Sequence, residues 1–199
     1  VFSNGGVWTK SNYIREIRSD SGGQIFDYKP QARQVLDPRI AYIVVDLMQE
    51  VLRSGTGAGA RSRGFGLPAA GKTGTSHDAW FAGFTTKLLC VVWVGFDDNQ
   101  ELPLEGSKAA LPIWTEFMKR AHQYREYRGV QYFQPPDGIT TVDIDPLTGQ
   151  LATASCPNPR AEVFVTGTQP VDFCRLHGGS GQRTQIAAWD AEETPAAGT

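Results

Sequence analysis

The 199-residue chain has no surplus of positive charge. Its 19 Lys and Arg against 21 Asp and Glu leave a net charge of −2, so bulk basicity does not point to a nucleic-acid partner. No apolar run approaches the roughly 20 residues of a membrane-crossing helix, and no signal-peptide pattern opens the chain. No internal repeat is present. Cysteine is sparse, at three residues. What is present, 40% hydrophobic and 20% charged residues, is ordinary globular composition, enough for one domain or one domain with an appendage.

The cysteines divide by context. Cys90 lies inside the apolar run Leu88–Val94 and is expected as a buried thiol. Cys156 and Cys174 flank a Pro-containing, strand-like stretch. Three readings stay open for them. A disulfide would close a loop of about 18 residues, contribute about 3 kcal/mol, and imply an oxidising compartment. A metal site would add His177 in a Cys-x-x-His spacing but lacks an obvious fourth ligand. Two separate free thiols are the third.

Val1-Phe2-Ser3-Asn4-Gly5-Gly6 reads like the tail of a helix closing on glycine, so the chain is expected to begin in mid-structure, as a fragment. Residues 13–28 alternate around Ser19-Asp20-Ser21-Gly22-Gly23, which predicts a hairpin. Asp37-Pro38 predicts a helix start, with Asp as N-cap and Pro in the first turn. Ile40, Ile43, Val44, Leu47, Val51 and Leu52 form its expected core stripe. The glycines of Arg53-Ser54-Gly55-Thr56-Gly57-Ala58-Gly59 predict a mobile loop. Arg53, Arg61 and Arg63 there could gather an anion, but a solvated loop is the simpler expectation. Three strands are predicted over 72–77, 79–86 and 88–96, joined by hairpin-length turns and therefore antiparallel. The third is nearly continuous in apolar residues, so it is expected to be buried on both faces and to need a further strand from elsewhere. A second amphipathic helix is predicted over 109–124, with Leu111, Trp114, Phe117, Met118 and Ala121 inward. Beyond residue 126 the composition shifts. Thr141–Ile144 and Leu151–Ala154 flank Asp145-Pro146-Leu147-Thr148-Gly149 as an expected hairpin, and Glu162–Val165 is a further strand candidate. Residues 184–199 are expected to be disordered.

The densest chemistry is Gly71-Lys72-Thr73-Gly74-Thr75-Ser76: a cation, hydroxyls and two glycines able to hold an anionic group against exposed backbone. Gly66-Leu67-Pro68-Ala69-Ala70-Gly71-Lys72-Thr73 fits the phosphate-loop pattern in full. That loop must follow a buried strand and open a helix. Here an Arg/Gly loop precedes the motif, and the residues after it alternate as a strand does, so nucleotide binding is the minor reading. Its marker would be a helix starting at Thr73.

Lys-Thr-Gly is also one of the motifs of serine acyl-transferases that react with penicillin. Lys72-Thr73-Gly74-Thr75-Ser76, Asp78-Ala79-Trp80-Phe81-Ala82-Gly83-Phe84-Thr85 and Trp93-Val94-Gly95-Phe96-Asp97-Asp98 occur in register. With Phe2–Gly6, Gly55-Thr56-Gly57 and Pro112-Ile113-Trp114, the chain resembles the C-terminal half of the transpeptidase domain of class A, bifunctional penicillin-binding proteins. The likeness is strong over about residues 1–125. Over 126–180 it is looser, where Gly149, Cys156, Gly167-Thr168, Cys174 and His177 are similar to the region after the catalytic domain in some members.

The resemblance implies an α+β fold, a fragment of the penicillin-binding protein/serine β-lactamase-like fold. It would have three antiparallel strands with packed helices and a small β-rich C-terminal tail: residues 1–125 in the transpeptidase half, 126–183 in the extension. It also implies a site. Lys72 would keep the cleft electropositive, and the backbone N–H of Thr75 would supply one oxyanion donor. Thr73, Gly74, Thr75 and Ser76 would bind substrate. Strand alternation puts Thr73 and Thr75 on one face, where two hydroxyls can hold a carboxylate. Gly74 leaves room for a substrate backbone, and an edge strand can pair with an extended peptide. Trp80 and Phe81 are expected in the core. His77 and Asp78 lie at the strand end, either lining the cleft or on a surface turn.

Two motifs are missing. No Ser-x-x-Lys and no Ser-x-Asn occurs in the chain, so the serine nucleophile and its lysine are expected on an upstream part of the same polypeptide. That part would also carry the glycosyltransferase domain and the membrane anchor of the family. The expected partners are this upstream part, a peptidoglycan stem peptide and β-lactams, with no nucleic acid and no membrane segment in the chain itself. No cofactor and no metal is expected, and the expected location is extracytoplasmic. A non-catalytic module that binds cell wall or a partner through residues 135–180 is the remaining alternative.

Overall fold

The computed structural model describes residues 1–98 and 100–177; the tail expected to be disordered lies outside the described residues. The chain divides into two compact units, Val1–Pro135 and Pro136–Thr199. Residues 126–135, which composition groups with the extension, pack on the first unit. Phe133 meets Phe84 edge-on with centroids 5.6 Å apart, and Gln131 donates its N–H to Thr86 Oγ1.

The first unit opens with a short 3₁₀ turn over Phe2–Asn4 that ends on Gly5 in the left-handed region, φ 59°, a conformation that favours glycine. Strand β1 (Val7–Thr9) pairs antiparallel with β4 (Ala32–Gln34). Strands β2 (Glu16–Arg18) and β3 (Gln24–Asp27) form the predicted hairpin. Helix α1 runs Pro38–Arg53, and Asp37 caps it by accepting the Arg39 N–H at 2.8 Å. Its most deeply buried residues are Ala41, Val45 and Leu52, whereas Ile40 and Leu47 of the expected stripe are exposed.

The glycine stretch after α1 is ordered by backbone bonds. Gly55 and Gly57 donate to the carbonyls of Glu50 and Val51, and a single helical turn, α2 (Gly59–Ser62), buries Ala60. This corrects the expectation of a mobile loop: the last carbonyls of α1 bind the very residues whose composition argues against regular structure. Two of the arginines there are already engaged. Arg61 donates to the carbonyls of Phe65 and Leu67, and Arg53 pairs with Glu50.

Three strands form the central sheet in the order β5 (Ala70–Thr75), β6 (Ala79–Phe84), β7 (Leu89–Val94), antiparallel throughout. Helix α3 (Ala110–Ala121) covers one face. Trp114, Leu111 and Met118 meet Phe81, Phe65, Leu52 and the inward side chains of β7. The Trp114 indole N–H reaches Gly83 O at 3.3 Å. A Cβ at Gly83 would sit 2.8 Å from the Trp114 ring, so the indole takes the space a side chain would fill. Phe117, expected inward, is 48% exposed. Helix α1 lies along β5 and contributes to both faces: Leu52 joins this core, and on the other face Val45 meets Ala70 and Phe84. Strand β7 is not buried on both faces. Leu89, Val91 and Trp93 are exposed while Cys90, Val92 and Val94 pack inward, because α3 covers only the inward face and α1 reaches only as far as Ala70 and Phe84 on the other. Burial raises the Cys90 thiol above its ordinary value.

In the second unit, β8 (Ile139–Ile144) pairs with β9 (Arg160–Val165) over six residue pairs. The predicted partner, residues 151–154, contributes only a bridge from Leu151 to Ile144 and another to Phe173. The turn itself is present: Gly149 donates its N–H to Asp145 O at 2.8 Å and sits at φ 69°.

Candidate active-site strand

Strand β5 is the open edge of the sheet among the described residues, and it carries the whole lysine-threonine-glycine motif. Register assigns the two faces. Thr73 lies opposite Phe81 and Thr75 opposite Ala79, on the face covered by α3; Lys72 lies opposite Ala82 and Gly74 opposite Trp80, on the other. The periodicity argument that groups Thr73 with Thr75 therefore holds.

Register also orients the backbone. Ser76 donates its N–H to Asp78 O at 3.1 Å across the hairpin. Backbone groups of successive strand residues point alternately to either side, so the N–H of Thr75 and the carbonyl of Thr73 turn to the open edge. The Lys72 ammonium bears this out, donating to Thr73 O at 2.7 Å with Thr73 Oγ1 at 3.5 Å. One short edge thus presents a cation, an outward N–H and two hydroxyls.

Two loops hold those hydroxyls. Thr56, in the turn after α1, lies 2.8 Å from Thr73, hydroxyl to hydroxyl. Gly106, just before α3, donates its N–H to Thr75 Oγ1 at 3.2 Å. A Cβ at Gly106 would lie 2.4 Å from Trp80 O and 2.6 Å from Gly74 O, so only glycine allows this approach to the sheet. Thr56 and Gly106 are site residues that the sequence reading did not assign. The string Gly55-Thr56-Gly57 was the available signal; for Gly106 there was none, since the contact spans 31 positions.

Ser76 and His77 are exposed in the turn after β5. Asp78 is half-buried, and its Oδ1 has no hydrogen-bond partner. A Cβ on Gly95 would fall 2.3 Å from that oxygen. Trp80 departs from expectation: Phe81 is fully buried, but Trp80 is 42% exposed and faces Trp93 with ring centroids 6.2 Å apart. The phosphate-loop reading fails on geometry. Residues 70–75 are strand, so no helix N-terminus stands at Thr73 to receive a phosphate. An open groove along α3, lined by Ile113, Phe117, Arg120 and Tyr124 among others, includes no residue of β5. Among the described residues, the metal-capable side chains that converge are in the second unit, not on this strand.

Comparison with known proteins identifies the fold as that of a penicillin-binding transpeptidase domain. Residues 1–119 match the penicillin binding protein transpeptidase domain, and the chain belongs to that family. Residues 135–179 match the penicillin-binding protein 1A C-terminal domain, so both segments together are those of a class A penicillin-binding protein. Penicillin-binding protein 1A of Aquifex aeolicus is 35% identical over 179 residues, 87% of this chain and 24% of that protein. The same-named protein of Clostridium tetani is 32% identical over 189 residues, 90% of this chain and 24% of that protein. The crystal structure of penicillin-binding protein 1A from Haemophilus influenzae superposes with a TM-score of 0.71 at 27% identity, covering 85% of this chain and 31% of that one. The chain spans about a quarter of the length of these curated relatives. Among the described residues, no helix is long and apolar enough to cross a membrane.

Proposed function

We propose that this chain supplies the lysine-threonine-glycine wall of the cleft in a peptidoglycan D,D-transpeptidase, and that the serine nucleophile comes from an upstream part of the same polypeptide. The observation that carries the proposal is the open β5 edge, with Lys72 folded along it and the Thr75 N–H directed outward.

In this reading an extended stem peptide pairs with β5 as an added strand. The hydroxyls of Thr73 and Thr75 receive its terminal carboxylate, and Ser76 flanks them. Gly74 keeps that segment of the edge low. The serine oxygen gives up its proton and bonds to the carbonyl carbon of the penultimate D-alanine. The carbonyl electron pair moves onto oxygen, where the Thr75 N–H stabilises it. The C–N bond then breaks, the departing amine takes a proton, and D-alanine leaves. The amine of a neighbouring stem peptide attacks the ester, restores the serine hydroxyl and completes the cross-link. A β-lactam follows the first half of this course, with its ring amide in place of the peptide. Lys72 keeps the cleft electropositive, which favours the carboxylate and the oxyanion alike. The activity is extracytoplasmic, where peptidoglycan is assembled.

Fluorescent-penicillin labelling resolved on a denaturing gel tests this. The full-length polypeptide is expected to label on a segment outside these 199 residues, and Lys72→Ala is expected to lower labelling by about 100-fold or more. The isolated chain is expected not to label. Covalent label on a peptide within residues 1–177 would sink the assignment.

A further inference from the structure

Among its described residues, the second unit is built around polar side chains rather than an apolar core. Three of those residues are buried: Asp145 at 1% exposure, Cys156 at 7% and Cys174 at 0%. His177 closes the cluster. The unit is of the size at which a hydrophobic core alone rarely suffices and a disulfide or a metal is usually added. Burying a carboxylate and two thiols beside a half-buried imidazole is costly unless something binds them all.

We infer that Asp145, Cys156, Cys174 and His177 form a tetrahedral site for a zinc-class divalent ion that holds the second unit together. One ligand atom from each lies within 4.8 Å of the others. A zinc ion with bonds of about 2.0–2.3 Å to N, O and S places its four ligand atoms about 3.3–3.8 Å apart. Cys174 Sγ stands 3.3 Å from Asp145 Oδ2 and 3.5 Å from His177 Nδ1, and Nδ1 and Oδ2 are also in direct contact. Two thiolates, an imidazole and a carboxylate suit zinc in type and number, and four protein donors make a closed, structural site.

The ligands come from three turns whose backbones are tied to one another. Asp145 opens the turn that closes β8, and its second oxygen accepts the Leu147 N–H at 2.8 Å. Cys156 Sγ accepts the Thr153 N–H at 3.3 Å, a bond suited to a thiolate. The Thr153 hydroxyl donates to His177 O at 3.3 Å. Cys174 donates its N–H to Leu151 O at 2.8 Å, beside the Leu151–Phe173 bridge. Asp145 is thus the fourth ligand that spacing alone could not supply. A disulfide would use the two sulfurs and leave the buried Asp145 carboxylate paired only with the half-buried His177 imidazole and the Leu147 N–H. Both thiols are free in the structure.

The test uses the 199-residue chain after dialysis against zinc under a non-chelating reductant, with bound metal measured by plasma mass spectrometry. The expected content is about one zinc per chain. Cobalt(II) in its place is expected to give thiolate-to-metal charge transfer and the intense d–d bands of tetrahedral coordination. Cys174→Ser and His177→Ala are expected to lose the metal, and Cys90→Ser to keep it. Variants can fail to fold, so a second readout uses the unaltered chain: a strong chelator is expected to make residues 136–177 sensitive to protease, and zinc to reverse this. Zinc well below one per chain with reduced thiols, an octahedral cobalt spectrum, or a metal-free Cys156–Cys174 disulfide in chain secreted into an oxidising compartment would each overturn the site. None of these readouts involves penicillin, so this inference and the transpeptidase reading stand or fall separately.

Discussion

Thr56 shows how much of the site rests on single hydrogen bonds made far along the chain. Its hydroxyl fixes that of Thr73 at 2.8 Å, on the residue proposed to receive the substrate carboxylate. Thr56→Val keeps shape and removes the bond, at a cost of about 1 kcal/mol. The expected result is a roughly fivefold slower rate of penicillin labelling in the full-length polypeptide with an unchanged labelled fraction at saturation. An unchanged rate would show that the Thr73 rotamer is set by other contacts. The residues of the motif itself were legible in the sequence because the strand's alternation fixes which side chains share a face. Thr56 and Gly106 were not, because their role depends on where two loops land on β5.

Helix α1 is an element whose start is written in two residues. Asp37 accepts the Arg39 N–H and pairs with the Arg39 guanidinium, and the side-chain bond to Arg39, ahead of its backbone bond, lowers the carboxyl to about 2. A lowered carboxylate stabilises the fold fully above its unfolded value of about 3.9, and that contribution is lost as pH falls through about 2. Asp37→Ala is therefore expected to lower the melting temperature by a few degrees at pH 7, with the gap from the parent chain closing below about pH 4. Calorimetry across pH checks this; a gap that persists at pH 2 would mean the side chain acts through packing. Elements defined by local signals of this kind were readable: α1, the β2–β3 hairpin, the three-stranded sheet. Elements defined by a distant choice of partner were not. The signals in Asp145–Gly149 identify a turn but do not say which strand β8 will choose, and it takes β9 rather than the residues next in line. The outward sides of α1, α3 and β7 misled for a related reason. Periodicity finds an apolar stripe without saying how much of it this chain covers, so Ile40, Phe117 and Trp93 stand exposed.

At the scale of the molecule, one face of the central sheet is only partly dressed. Helix α1 covers Ala70 and Phe84, while Trp80, Val91 and Trp93 stay exposed on that face and Leu89 beside them. The proposed upstream segment would account for this row. The chain alone is accordingly expected to self-associate, and Leu89→Thr with Val91→Thr to raise its monomer fraction in light scattering at equal concentration. A monomeric parent chain at high concentration would contradict this.

The Ser76–Asp78 hairpin bond sets a parity for everything before it. Each residue of β5 is either an outward or an inward position, with nothing between. One extra residue inserted between Gly71 and Lys72, with β6 still paired to the residues after it, leaves the site intact and misplaces the strand's entry at Ala70. The same insertion between Thr73 and Gly74 puts the threonine where the lysine stood. A residue added within 76–78 only lengthens a turn. Chain length is thus free at the tip of this hairpin and quantised along its first arm, and any variant that changes it there changes the site by a whole face at a time.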